Sequence, residues 1–165
     1  AAELQVVFNA LNDMKQAHTA WDCGTTGFGV MVSDSLMFQR GDPQPGDPHL
    51  SEVYGLALPL LKRGIPVAPV QLENVTMPRY LKDFRVLWLT YHGMKPLSAD
   101  VHPALADWVK RGGRLIVCDD GSDPYHVVRD WWNSDGLHFA TPRDHLFEQL
   151  GFKPPNGPEI GRAHV

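Results

Sequence analysis

Cysteine is scarce in this chain of 165 residues: Cys23 and Cys118 are the only two. A pair so few and so widely spaced excludes a disulfide framework and a thiolate metal ribbon, and it leaves the redox compartment open. Positive charge is also short. Lys and Arg number 15 against 19 Asp and Glu, for a net charge of −4 at pH 7 and a sequence pI near 6.0. That balance argues against a nucleic-acid partner, which would call for a basic face. No apolar run approaches the roughly 20 residues that span a bilayer, and no signal peptide or basic amphipathic helix is visible, so no membrane partner is expected. There is no internal repeat. The 43% hydrophobic content suits one domain with a full core.

The clearest stretch runs from Phe84 to Asp120. Val86 to Leu89 is a short continuous apolar run, the mark of a strand buried on both faces. A helix should follow, opened by Ser98 and closed by Gly112 and Gly113 where left-handed backbone is needed. Leu115 to Cys118 then completes a strand–helix–strand crossover, a unit that is almost always right-handed with parallel strands. Upstream, Leu4, Val7, Phe8, Leu11 and Met14 recur at helical spacing, which predicts a helix over 2–18 with one apolar stripe. In a lone domain that stripe should pack on the sheet. Phe28 to Ser33 reads as the first strand, followed by a long loop from Asp34 to Pro48. A helix from Asp47-Pro48 should run to Lys62 or Arg63, kinked at Pro59. Ile65 to Val70 is a strand carrying Pro66 and Pro69, hence an edge strand. A helical turn is expected near Pro78 to Leu81, a helix from Asp123-Pro124 to about Trp132, and another from Thr141-Pro142 to Gly151.

This order predicts an α/β three-layer sandwich with a small parallel sheet, flavodoxin-like in strand order, with the proline-bearing strand outside the first. Residues 1–20 are read as an N-terminal helix or linker, 21–152 as the α/β domain, and 153–165 as an irregular tail. The chain begins inside an amphipathic pattern and stops at Gly-Arg-Ala-His-Val, so a piece of a longer polypeptide is expected. Open parallel sheets hold ligands beyond the carboxyl ends of their strands. The residues expected at that rim are Ser33, Asp34 and Ser35; Gln71 and Glu73; Tyr91, His92 and Gly93; and Asp119, Asp120 and Gly121.

No reaction is announced at that rim. A hydrolase nucleophile on such a sheet sits on the tight turn between a strand and a helix. The corresponding stretch here, Thr90-Tyr91-His92-Gly93-Met94, has neither Cys nor Ser. Cys118 is expected to be a core thiol. Asp119, Asp120 and Asp123 with His92 and His126 match no ligand spacing, so Asp123 should cap a helix while Asp119 and Asp120 orient the loop. The other histidines, His49, His102, His138, His145 and His164, are expected mostly at the surface. Gly24, Gly27 and Gly29 precede a strand rather than open a helix, which excludes a phosphate cradle. No metal or cofactor is expected. Trp108 should pack on the sheet, whereas Trp131 and Trp132 diverge by about 100° on a helix, so one of them should face a partner chain, another domain or a ligand.

Three stretches carry a family resemblance: Phe28-Gly-Val-Met-Val-Ser-Asp-Ser, Leu60-Leu-Lys-Arg-Gly-Ile-Pro-Val, and Tyr80-Leu through Gly112-Gly-Arg-Leu-Ile-Val. Over roughly residues 28–152 the chain resembles the class I glutamine-amidotransferase-like domain attached to family 42 β-galactosidases and related glycoside hydrolases. The resemblance implies a domain that follows a catalytic barrel, helps form the oligomer and shapes the mouth of the barrel's active site through loops such as Asp34 to Pro48. The catalytic carboxylates would then lie in the barrel, and the N-terminal helix would be the barrel's last piece or its linker. The family's nucleophilic Cys has no counterpart near Tyr91 and His92, so no catalytic residue is carried over. Two rival readings are a free-standing carbohydrate-acting hydrolase, similar to trehalose-utilisation proteins of the same fold, using His92 and Asp120, and a module that stacks a sugar on Trp131 or Trp132.

Overall fold

The computed structural model describes residues 2–13, 27–37 and 48–152. Met14 and the end of the expected first helix, Cys23, Gly24, most of the loop before Pro48, the side chain of His49, His164 and the tail from 153 lie outside the described residues.

Four parallel strands form one sheet in the order β2-β1-β3-β4. They are β1 (Phe28–Val32), β2 (Ala68–Gln71), β3 (Val86–Leu89) and β4 (Arg114–Val117), interleaved with α1 (Ala2–Asp13), α2 (Pro48–Leu61), α3 (Val101–Lys110) and α4 (Pro142–Gln149). The proline-bearing strand is at the edge, outside the first, where the missing N–H of Pro69 is tolerated. Two right-handed crossovers leave the sheet centre in opposite directions and so place α2 and α3 on opposite faces, an α/β three-layer arrangement.

Register decides what lies inside. Gly29 aligns with Leu87 and Leu115, and Met31 with Val70, so these residues share one face. Met31, Val70, Leu87 and Leu89 are fully buried and cluster with Val101, Leu105 and Trp108 of α3 and Leu146 of α4. Burying one such aliphatic side chain contributes about 1.5–3 kcal/mol. Val30, Trp88 and Ile116 align on the other face. There Val30 is buried, with α2 packed over β1, but Ile116 on the edge strand β4 is 40% exposed. β3 is deeply buried, as its apolar run predicts, whereas β4 alternates between exposed and half-buried positions.

Several local expectations change. Ser98 does not cap α3. The helix starts at Val101 after Asp100, with no side-chain cap, because a tight turn from Ala99 O to His102 N (3.1 Å) leads into it. Gly112 has the positive φ of 101° expected after a helix. Gly113 is needed for a different reason, since a Cβ there would meet the Trp108 ring at 2.4 Å. The helix expected from Asp123 to Trp132 is two single 3₁₀ turns, Pro124–Val127 and Trp131–Asn133. The carbonyl of His126 accepts from Trp132 Nε1 (3.0 Å) instead of a helical N–H, and Asp130 starts its own capping box with Asn133. A 3₁₀ segment at Leu72–Thr76 precedes the turns around Pro78. α4 begins as expected, with Thr141 and Asp144 in a capping box. The stripe of α1 does not pack on the sheet: Leu4, Val7 and Phe8 are all more than half exposed, and the core face is already filled by α3 and α4.

Replacing Gly113 with Ala should cost about 1–3 kcal/mol, because the added methyl must displace a buried indole. A thermal melt that leaves the midpoint unchanged would refute this account of the α3–β4 joint.

Candidate functional site

The carboxyl ends of all four strands converge on a polar rim, as parallel topology requires. The chain leaving β1 supplies Ser33, Asp34 and Ser35, and β2 delivers Gln71 and Glu73. The structure brings these five together. Ser33 Oγ donates to Glu73 Oε1 (2.6 Å), and Gln71 Nε2 donates to Asp34 Oδ1 (2.8 Å). The Asp34 N–H also faces the Glu73 carboxylate. Ser35 Oγ accepts from the Lys95 N–H (2.6 Å) and donates back to the Lys95 carbonyl. The network therefore staples the β1 loop to the segment that leaves β3.

That segment carries the central feature, a residue that sequence reasoning missed. Lys95 and Asp123 form an ion pair at 2.6 Å, with side chains only 5% and 2% exposed. Lys95 Nζ also donates to Tyr91 O (2.6 Å). Asp123 accepts from the Gly93 N–H (2.7 Å) and, as the expected helix cap, from the Tyr125 N–H (2.9 Å). Burial pushes the Lys95 ammonium below its usual range, and Asp123 and Asp119 oppose that push. For Asp123, burial works upward, but the hydrogen bonds from Lys95, Tyr125 and Gly93 outweigh it and hold the carboxyl below its usual range.

Gly93 occupies the bend after β3 with φ of 72°, and its N–H is committed to Asp123. Tyr91 is not at the rim but fully buried, its hydroxyl 2.6 Å from His102 Nε2. His92 is half-buried beside it, its N–H donating to Thr90 Oγ1 (3.1 Å). Asp119 and Asp120 orient their loop as expected, accepting from Gly121 N (2.8 Å) and Ser122 N (2.9 Å). Asp120 is exposed, and its bonds to Ser122 hold the carboxyl below its usual range.

Two expectations about single residues are reversed. Cys118 is an exposed free thiol rather than a core one, because it follows the edge strand β4. Desolvation holds that thiol above its usual range, the opposite of an activated thiolate. His102 and His145 are buried, not surface residues, while His138 is exposed as expected. His102 Nδ1 lies 2.7 Å from His145 Nδ1, so one ring donates and the other accepts, which requires both to be neutral or one alone charged. Burial, then His145, pushes His102 down to about 3, and burial also lowers His145.

The two adjacent tryptophans are both engaged within the chain. Trp132 is buried, and Trp131 is half-buried, with its Nε1 donating to Pro96 O (2.8 Å) and its ring edge-on to His102 and His145. The divergence that sequence reasoning assigned to an outside partner is absorbed by the layer between α3 and α4. His102 lies on the apolar face of α3 and His145 on that of α4, and this helical placement was the available signal for burial.

Among the described residues, no group of three or more His, Cys, Asp or Glu side chains is placed to hold a metal ion, and no helix is long and apolar enough to cross a membrane.

Breaking the ion pair by Lys95→Met or Asp123→Leu alone should cost about 3–5 kcal/mol, and the double substitution should recover much of that loss. Urea unfolding of the three variants measures the coupling, and additive losses would contradict it. The lowered histidines make a second prediction. Below pH 6.5 the unfolded chain takes up protons that the folded His102 refuses until about pH 3, so stability is present above 6.5 and lost as pH falls through that window. His102→Gln should flatten the slope of melting temperature against pH, and an unchanged slope would count against it.

A comparison of this chain with protein-family models, with curated proteins and with solved structures found no match in any of the three.

Proposed function

We propose that this chain is a non-catalytic ancillary domain of a glycoside hydrolase, one that contributes oligomer contacts and rim loops beside a catalytic barrel elsewhere in the parent polypeptide. One observation carries the non-catalytic part: the bend where a nucleophile would sit holds Gly93, whose N–H is tied to the buried Lys95–Asp123 pair. Around it, Ser33, Ser35, Gln71 and Glu73 bond to one another and to the Lys95 main chain, an arrangement that fixes loops. The exposed apolar side chains of α1, with Ile116 on β4, supply contact surface of the kind an assembly covers. The assignment to glycoside hydrolases rests on the resemblance of the three sequence stretches.

The rival sites have less behind them. Asp120 is engaged by Ser122, and Trp132 is buried with its Nε1 bonded inside the chain.

The purified chain, offered nitrophenyl glycosides and glutamine, should turn over neither. Turnover of either compound that disappears in His92→Ala or Asp120→Asn would overturn the proposal. Light scattering on the same sample should show self-association that weakens when Val7 and Phe8 are replaced by Ser. A strict monomer at all concentrations would remove the oligomer-contact part.

A further inference from the structure

At the end of the sheet opposite the rim, a groove of about 900 Å³ runs between the turns that follow β2 and the carboxyl end of α3. Its walls include Arg79, Lys82, Arg85, Arg111 and Arg114, with Asp107 the one carboxylate. Five cations against one anion leave a surplus of four positive charges, on a chain whose net charge is −4. The fold creates this concentration. Arg85 immediately precedes β3 and Arg114 begins β4, and the Arg114 N–H donates to the Arg85 carbonyl (3.0 Å). Arg111 is the cap residue directly after α3, and Arg79 and Lys82 come from the loop after β2.

Local carboxylates do not neutralise the groove. Among the described residues, no Asp or Glu pairs with Arg79, Arg85, Arg111 or Arg114, whereas Lys82 has Asp83 at 3.7 Å and Asp107 faces Lys110 at 3.7 Å. The negative end of the α3 dipole is worth about half a charge, so it accounts for one cation at most. Arg79 is held at φ of 65°, a left-handed conformation that arginine rarely adopts and that strained binding loops retain. Like charges gathered in one concavity repel one another and raise the local potential for anions. Four of the five are arginines, whose planar forks match the two oxygens of a carboxylate, phosphate or sulfate. The volume lies within the range of small-ligand sites, about 300–1,000 Å³.

We infer that this groove is a binding site for a small polyanion, a molecule that carries two or more phosphate, sulfate or carboxylate groups. The site is separate from the strand-end rim and does not depend on the ancillary-domain reading.

Calorimetric titration of the intact chain at low salt tests it with three probes: inorganic pyrophosphate, trigalacturonate and a heparin-derived sulfated disaccharide. At least one should bind saturably at one per chain, and the tightest of the three identifies the oxyanion. Raising the salt from about 50 to about 300 mM should weaken that binding. Arg85→Gln with Arg114→Gln should weaken it about tenfold or more, as loss of charge-assisted hydrogen bonds predicts, while Arg129→Gln, outside the groove, should leave it unchanged. Arg79→Gln with Arg111→Gln provides a second pair, read whenever the first melts early. No saturable heat from any probe at low salt, or full binding by a folded double variant, would overturn the inference.

Discussion

The buried contact between Lys95 and Asp123 is the constraint around which the strand-end half of this molecule is arranged. Two charges are withdrawn from water only where further hydrogen bonds complete their shells, and here those bonds come from two separate segments. The β3 bend gives the Gly93 N–H and the Tyr91 carbonyl, and the segment after Asp123 gives the Tyr125 N–H. Because the Lys95 main chain also bonds Ser35 and Ser33, the β1 loop is fastened to the same point. Loops from β1, β3 and β4 thus share one electrostatic anchor, which is what a rigid rim requires.

A second polar chain runs through the other layer, from the Tyr91 hydroxyl to His102, to His145, and on to the Gln149 side chain at 3.4 Å. Trp131 closes it edge-on against both imidazoles. These aromatic and imidazole rings fill the space between α3 and α4, where an aliphatic core would leave the Tyr91 hydroxyl without a partner. Tyr91 therefore belongs to the core through its ring and to the polar chain through its oxygen, and burial keeps that hydroxyl protonated well above its usual pKa.

Charge is distributed unevenly between the two ends of the sheet. At the strand ends, Lys95 is paired with Asp123, and Asp34, Glu73, Asp119 and Asp120 accept hydrogen bonds from neighbouring side chains and main-chain N–H groups. At the opposite end, arginines from four places in the sequence meet with little opposing charge. A net charge of −4 gives no hint of this, since a sum over the chain cannot see which residues become neighbours.

The sequence by itself determined the parallel sheet, its strand order and the proline-bearing edge, because apolar runs, prolines and cap residues act over a few neighbouring positions. It also determined the capping of α4 by Thr141 and the loop-orienting roles of Asp119 and Asp120, which are local hydrogen bonds. Tertiary structure alone decided the partner of Lys95, the pairing of His102 with His145, the exposure of Cys118 and the enclosure of Trp131 and Trp132. Each of these depends on contacts between residues far apart in the chain, such as Lys95 with Asp123 or His102 with His145. Spacing along a sequence records which side of a strand or helix a residue faces, but only the assembled layers fix what stands on that side.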